Sequence, residues 1–230
     1  MGMGLRTRLK MTISSIPLAH DLTLKLLSRE SIFSRAYSSR AWGSEESGSG
    51  VGSELGATEA LRAYLPGLFK RLGVEKILDA PCGDWNWMRL VDLEGIDYVG
   101  VDVVPEVIAK NQAAYAAAGV RFKVADITRD DLPSADLILC RDCWVHLSFR
   151  DAASILENFR RCGATWLLVS NSPQISENKN QLTGLSWRYL NLHQPPFNFP
   201  AGLEARKDHY DDHGFQITLW RIADLPRINA

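Results

Sequence analysis

The sequence predicts an α/β domain in which helices cover both faces of a mostly parallel sheet, and three observations carry that expectation. Short apolar runs alternate with helical patterns along the chain, as in βαβ units. Four successive runs close on an aspartate, at Asp79, Asp102, Asp126 and Asp142. The first passes through Pro81, Cys82, Gly83 and Asp84 into a turn, and open α/β sheets bind ligands at such turns, beyond the carboxyl ends of the strands. At 230 residues the chain suits one such domain with an ample core.

Residues 1–40 carry seven basic residues against Asp21 and Glu30, with scattered serines. That composition resembles an organelle transit peptide, with a processing site at Arg35–Ser39, and would put the remainder in an organelle matrix. The reading we favour takes residues 1–40 as a helical, in part flexible, extension that begins to fold at Ile32–Tyr37. A single domain over 41–230 then follows. Trp42-Gly43 leads into the Gly/Ser run 44–53, which reads either as a flexible linker or as a loop folding over a ligand. Glu54 to Gly73 is helical, with Pro66 opening its second part.

Ile77, Leu78 and Ala80 make the first strand, and a helix starts at about Asn86. A phosphate-cradling turn relies on backbone amides, and carboxylates there would repel the pyrophosphate. Asp79 and Asp84 instead suit a ligand carrying positive charge, as S-adenosylmethionine does in its sulfonium and ammonium groups. A nicotinamide dehydrogenase would need G-x-G-x-x-G; this turn has Gly83 alone, with Asp84 and Trp85 where small residues are wanted.

Tyr98–Val103 is the second strand, and its Asp102 lies 19 residues after Gly83, where a carboxylate can accept from ribose hydroxyls. Pro105 starts the next helix, which alanines 113, 114, 116, 117 and 118 extend. Phe122–Ile127 forms the third strand end, with Asp126 set to receive an adenine amino group and Ile127 beside the ring. Leu137–Asp142 is the fourth strand, Phe149–Arg161 the following helix and Trp166–Ser170 the fifth strand. Any one of these acids could simply satisfy turn or cap amides; the four together point to a ligand.

Together these residues resemble the class I methyltransferases that use S-adenosylmethionine, over roughly Trp42 to Leu225. The strings W-G…SG-x-GS, D-A-P-C-G-D-W and P-P-F-N-F-P resemble a bacterial subgroup of them. The resemblance implies a Rossmann-like three-layer sandwich whose last strand, Phe215–Trp220, enters the sheet antiparallel, with Leu203–Ala205 as its partner. It implies S-adenosyl-L-methionine as cofactor. Trp42 and Ser53 would hold it from the Gly/Ser loop, Asp79, Cys82, Gly83 and Asp84 from the first turn, and Asp102, Asp126, Ile127 and Arg141 from the later ones.

Methyl transfer needs a nucleophile aimed in line at the methyl carbon, and a hydroxyl acceptor must also lose a proton. His146 is the expected base, because imidazole titrates near neutral pH, and Asp142 would orient it or bind the acceptor. The alternative is that His146 caps the next helix or bonds to backbone. Residues 171–200 are too long for a plain connection and too aromatic for disorder, which suggests a flap over the pocket. Trp187 would stack on a sugar or other ring, with Arg188, Asn191 and Asn198 as polar contacts. Phe197 and Phe199 would pack the flap down.

The expected reaction is methyl transfer to a hydroxyl of a small polar acceptor, such as a sugar or glycoconjugate precursor. The alternative is a non-catalytic cofactor-binding protein whose flap recognises a protein partner. A net charge of −1 offers no global field for nucleic acid. No apolar run approaches the ~18 residues of a membrane span, so a soluble protein is expected. Cys140-x-x-Cys143 lacks the second pair a structural zinc site needs; no metal is expected, Cys140 reads as buried strand and Cys143 as pocket wall. Reduced thiols suit the cytoplasm. Of the seven tryptophans, Trp85, Trp87, Trp144 and Trp187 fall near the ligand turns, with core packing the alternative for each.

Overall fold

The computed structural model describes residues 27–209 and 214–229. Helix α1 (Arg29–Ser38) and helix α2 (Leu55–Leu72) precede β1 (Lys76–Asp79), β2 (Asp97–Asp102), α3 (Pro105–Tyr115) and β3 (Val120–Val124). Strand β4 (Leu137–Cys140), α4 (Phe149–Arg161), β5 (Trp166–Asn171), β6 (Glu204–Lys207) and β7 (Gln216–Arg221) complete the chain. The strands form one sheet in the order β3-β2-β1-β4-β5-β7-β6. Strands β1 to β5 are parallel, and β7 lies antiparallel between β5 and β6. This is the Rossmann-like, mostly parallel sandwich that the sequence predicts. Its carboxyl ends align: Asp79 sits opposite Gly100 of β2 and Leu139 of β4, so the acid-bearing turns open on one side.

Alternate residues of the central strands feed two cores. Leu78, Ile138 and Leu167 face α4, whose Ile155, Leu156 and Phe159 are fully buried against them. Each such side chain contributes about 1.5–3 kcal/mol. Ile77, Leu137 and Leu168 face the other way, onto Leu61, Leu65, Leu68 and Phe69 of α2 and Ile108 of α3. Helix α4 matches its expected bounds, with Ser148 as N-cap accepting from the Asp151 amide at 3.1 Å.

Four local expectations are corrected. Pro66 does not divide α2, which runs unbroken from Leu55 to Leu72. The buried stripe of Leu61, Leu65, Leu68 and Phe69 spans the proline and offsets the one lost backbone bond. No full helix follows β1; Trp85 adopts φ +57°, outside the helical region, and only the 3₁₀ turn Met88–Leu90 forms. Helix α3 stops at Tyr115 because Ala117 pairs with Val120 around Gly119, whose φ of +81° reverses the chain. Tertiary reversal here outweighs alanine propensity. The partner of the last strand is Glu204–Lys207, one to two residues beyond Leu203–Ala205.

The transit-peptide reading concerns residues 1–40, of which 1–26 lie outside the described residues. Arg35–Ser39 forms the end of α1 and its C-cap. Phe33 and Tyr37 of this helix line the cavity described next, so a cut there would remove part of its wall.

Candidate active site

A cavity of about 370 Å³ opens at the carboxyl ends of β1, β2 and β4, and its floor is acidic. The Asp102 carboxylate accepts from the Gly83 amide at 3.2 Å and the Val104 amide at 3.0 Å. Burial pushes this carboxyl up to about 6, against the pull of those amides. Asp79 accepts from the Tyr98 hydroxyl at 2.5 Å, and burial pushes it up to about 7 despite that bond. Asp126 is held by the Thr128 amide at 3.1 Å and hydroxyl at 2.7 Å, with Ile127 beside it. Gly83 has φ +55°, and a methyl group there would come 2.4 Å from Ser49 Oγ, so only glycine fits. From α3, Asn111 Nδ2 fixes the Gly83 carbonyl at 2.8 Å. Buried carboxylates with spare lone pairs on successive strand ends fit a ligand that brings hydroxyls, an amino group and positive charge.

The Gly/Ser run is an ordered lip over this floor, and Asp84 holds it there. The Asp84 carboxylate accepts from the hydroxyls of Ser47 and Ser49, each at 3.0 Å, and from the Gly48 amide at 2.7 Å. Asp84 thus spends much of its capacity on the loop while still lining the cavity. Ser49 also meets the Tyr37 hydroxyl at 2.8 Å, joining α1 to the lip. Ser53 is buried on the lining, and its carbonyl accepts from Asn86 Nδ2 at 3.1 Å.

Arg141 follows β4 and is buried. Its Nε and Nη2 grip the Asp208 carboxylate at 2.7 and 2.9 Å, and Nη2 also reaches the Gly52 carbonyl at 2.8 Å. This fork joins the ends of β4 and β6 to the lip. Asp142 adopts φ +51°, in the left-handed region that aspartate enters more readily than most residues, and this turns its carboxylate into the cavity. Its Oδ2 lies 3.5 Å from Arg141 Nη1 and 3.7 Å from His209 Nε2. Burial works to raise the Asp142 carboxyl, but Arg141, His209 and His146 outweigh it and hold it below the ordinary range. Asp142 Oδ1 is buried and has no hydrogen-bond partner among the described residues.

His146 ends the 3₁₀ turn Trp144–His146. Its ring packs 5.5 Å from that of Trp42, and Nδ1 lies 3.1 Å from the Ser186 carbonyl. Burial depresses its pKa, since the charged form is poorly solvated. Trp187, 38% exposed, stands at the cavity mouth with its ring 4.4 Å from Tyr189 and 5.8 Å from Phe215.

The cavity brings together the cofactor candidates Trp42, Ser53, Asp79, Cys82, Gly83, Asp84, Asp102, Asp126, Ile127 and Arg141, and with them Asp142, His146 and Trp187. Three expected acceptor contacts lie off its lining. Arg188 turns inward, its Nη2 donating to the Leu147 carbonyl at 2.6 Å with the guanidinium 5.3 Å from the Phe149 ring. Burial lowers it to about 10. Asn191 is buried, and its amide donates to the carbonyls of Pro173 and Ile175 at 3.1 and 2.7 Å. Asn198 is exposed at φ +52° and bonds only within its own turn among the contacts described. Phe197 and Phe199 pack against Trp144 and Trp220. Trp85 and Trp144 belong to the cores, Trp87 belongs to a core and also lines the cavity, and Trp187 lines the cavity. All four cysteines are free; Cys140 is core and Cys143 is wall.

Several lining residues escape a motif reading: Arg29, Phe33 and Tyr37 of α1, Thr128, and His209 just after β6. Only Asp208-His209, an acid and a histidine trailing a short edge strand, could have signalled the last of these.

Sheet order, strand-end acids and the glycine turn together give the class I methyltransferase arrangement of fold. Residues 77–164 match the family described as "Methyltransferase domain". That match supports an enzyme that transfers methyl groups from S-adenosylmethionine. No curated protein matches the sequence.

Solved structures share the fold at low identity. Magnesium protoporphyrin IX methyltransferase from Synechocystis PCC 6803, with bound SAH, is 12% identical with a TM-score of 0.54; the match covers 83% of this chain and 96% of that one. The PH0226 protein from Pyrococcus horikoshii OT3 is 16% identical with a TM-score of 0.50, over 71% and 89% of the two chains. TnmH is 13% identical with a TM-score of 0.55; the match covers 72% of this chain but little more than half, 55%, of TnmH. Among the described residues no helix is long and apolar enough to cross a membrane.

Proposed function

We propose that the protein moves the methyl group of S-adenosylmethionine to a hydroxyl of a small polar acceptor, a sugar or glycoconjugate precursor being the chemistry that fits best. The observation that carries this reading is Asp142 Oδ1, a buried carboxylate oxygen on the cavity wall without a hydrogen-bond partner among the described residues. A hydroxyl or amine donor satisfies such an oxygen, and the hydroxyl does so without bringing a second charge; an ether, thioether or carboxylate acceptor leaves it empty. The half-exposed ring of Trp187 supports a ring-shaped acceptor.

When bound, the cofactor supplies an electrophilic methyl on a sulfonium. Asp102 and Asp126 hold the ribose and adenine, and Asp79 offers a carboxylate to its positive charge. Trp42 and the lip exclude water, which strengthens these contacts. Asp142 orients the acceptor hydroxyl, and a histidine of the cavity wall receives its proton. Residues 171–200 close the acceptor end as a flap. Transfer of radiolabelled methyl from S-adenosylmethionine to a panel of sugars, amino sugars, amines and carboxylic acids tests the reading. Labelled amines or acids with unlabelled sugars would end it.

A further inference from the structure

Two histidines line the cavity wall, and their surroundings differ. His146 is wedged between Trp42 and the Ser186 carbonyl. His209 stands across from Asp142, with Nε2 3.7 Å from the carboxylate. Its position is firmly set: the His209 amide donates to Asp208 Oδ1 at 3.0 Å, and Asp208, fully buried, is locked in the Arg141 fork. A methyl group at Gly52 would come 2.8 Å from Asp142 Oδ2 and 3.4 Å from His209 Nε2, so glycine leaves this pair uncovered. Phe215 packs on the ring at 4.8 Å.

Resting on the methyl-transfer reading above, we propose that His209, paired with Asp142, takes the acceptor proton, and that His146 shapes the wall. A lone pair of the acceptor oxygen forms the new bond to the methyl carbon. The carbon–sulfur bond breaks and its electron pair stays on sulfur. The hydroxyl proton passes to the His209 imidazole. One positive charge leaves sulfur and one appears on the imidazole, so the charge of the cavity is conserved. The Asp142 carboxylate, 3.7 Å away, stabilises the imidazolium. His146 also feels the Asp142 charge, but among the described contacts no carboxylate lies within ion-pair distance of it, and its Nδ1 meets a backbone carbonyl.

Replacing the sulfonium by the neutral sulfide removes a positive charge from the cavity, so cofactor and product should differ in the protons that binding takes up. Other groups facing His209 are Asp142 and Arg141 after β4 and Asp208 after β6, with Asp79 and Asp102 on the floor of the same cavity. Calorimetry of S-adenosylmethionine and S-adenosylhomocysteine, each in two buffers of different ionisation enthalpy near neutral pH, counts the protons taken up. Product should take up more protons than cofactor in the parent. His209→Asn and His209→Gln should remove most of that difference, up to about one proton, leaving the share of Asp79 and Asp102. His146→Asn should keep it. An unchanged difference in both His209 variants, or its loss in His146→Asn instead, overturns the proposal. Failure of both ligands to bind the parent would count against the cofactor reading itself.

Discussion

The floor and the acceptor wall of the cavity are built in opposite ways. On the floor the acids are held mostly by their own turns and the neighbouring strand: Asp126 by Thr128, with Arg29 3.7 Å away, Asp102 by Val104 and the adjacent Gly83 turn, Asp79 by Tyr98 of β2. On the wall the contacts leap across the chain: Arg141 to Asp208 and Gly52, Asp142 to His209, His146 to Ser186 and Trp42. The floor is a property of the strand ends, preorganised wherever this sheet forms. The wall exists only once the whole domain has closed. Cofactor binding and acceptor handling should therefore respond to different mutations.

The largest expected effect lies on the wall. Arg141→Leu leaves Asp208 buried without its counter-charge and should cost about 3–5 kcal/mol of stability, read from denaturant unfolding. Arg141→Lys keeps a charge without the fork and should recover part of it. A parental midpoint for Arg141→Leu would erase the distinction between wall and floor. On the floor, Asp102→Ala should weaken S-adenosylmethionine by about 1.5–3 kcal/mol, measured by calorimetry, while the wall stays intact. Equal affinity in a folded variant would take Asp102 out of the site.

Next comes pH. Burial holds Asp79 at about 7 and Asp102 at about 6, above the ordinary carboxylate range. The native state thus grips these protons more tightly than the unfolded chain does. Their contribution to stability is full below the unfolded values and is lost as pH rises through 6 to 7. A sulfonium ligand favours the ionised forms, so its affinity should rise over the same window, on the order of tenfold between pH 5.5 and 8. A flat profile would mean that neither carboxylate meets the positive charge.

Arg188→Ala should lower stability by about 1 kcal/mol, because the Leu147 carbonyl loses its donor. It should also slow turnover through the His146 turn while sparing cofactor affinity. Direct contact with acceptor would instead raise KM at unchanged stability. The smallest stability change belongs to Trp187→Ala, within about 0.5 kcal/mol for so exposed a ring, yet acceptor KM should rise. Parental acceptor kinetics in that variant would take Trp187 off the binding face.

The same contrast explains what could be read from the chain. The floor was legible because a strand, a turn and an acid are neighbours in sequence, and one apolar run ending on Asp102 already implies where its carboxylate lies. Helix α4 was legible from its periodic Ile155, Leu156 and Phe159. His209 was not, because only the antiparallel return through β6 and β7 brings it to Asp142. Arg188 and Asn191 misled for a different reason. A 30-residue segment with no helix or strand must satisfy its buried carbonyls with side chains, and these polar groups serve that need instead of facing the cavity. Beyond Tyr115 and across Pro66, local propensity was overruled by chain reversal and by burial respectively.

Arg141 has a consequence for how acceptor choice can change. Its guanidinium closes a triangle among the Gly52 carbonyl, the end of β4 and Asp208, and no vertex can be exchanged singly without stranding a buried charge or carbonyl. The flap has no such tie to the triangle among the described bonds. A chimera that exchanges only the mouth of the flap around Trp187, leaving Leu190, Leu192, Phe197 and Phe199 in the core, should keep its fold and its cofactor while acquiring a new preference, whereas transplanting the stretch around 208 alone should fail to assemble. The mouth of the flap is the interchangeable part of this domain, and the triangle is the frame to which any replacement must fit.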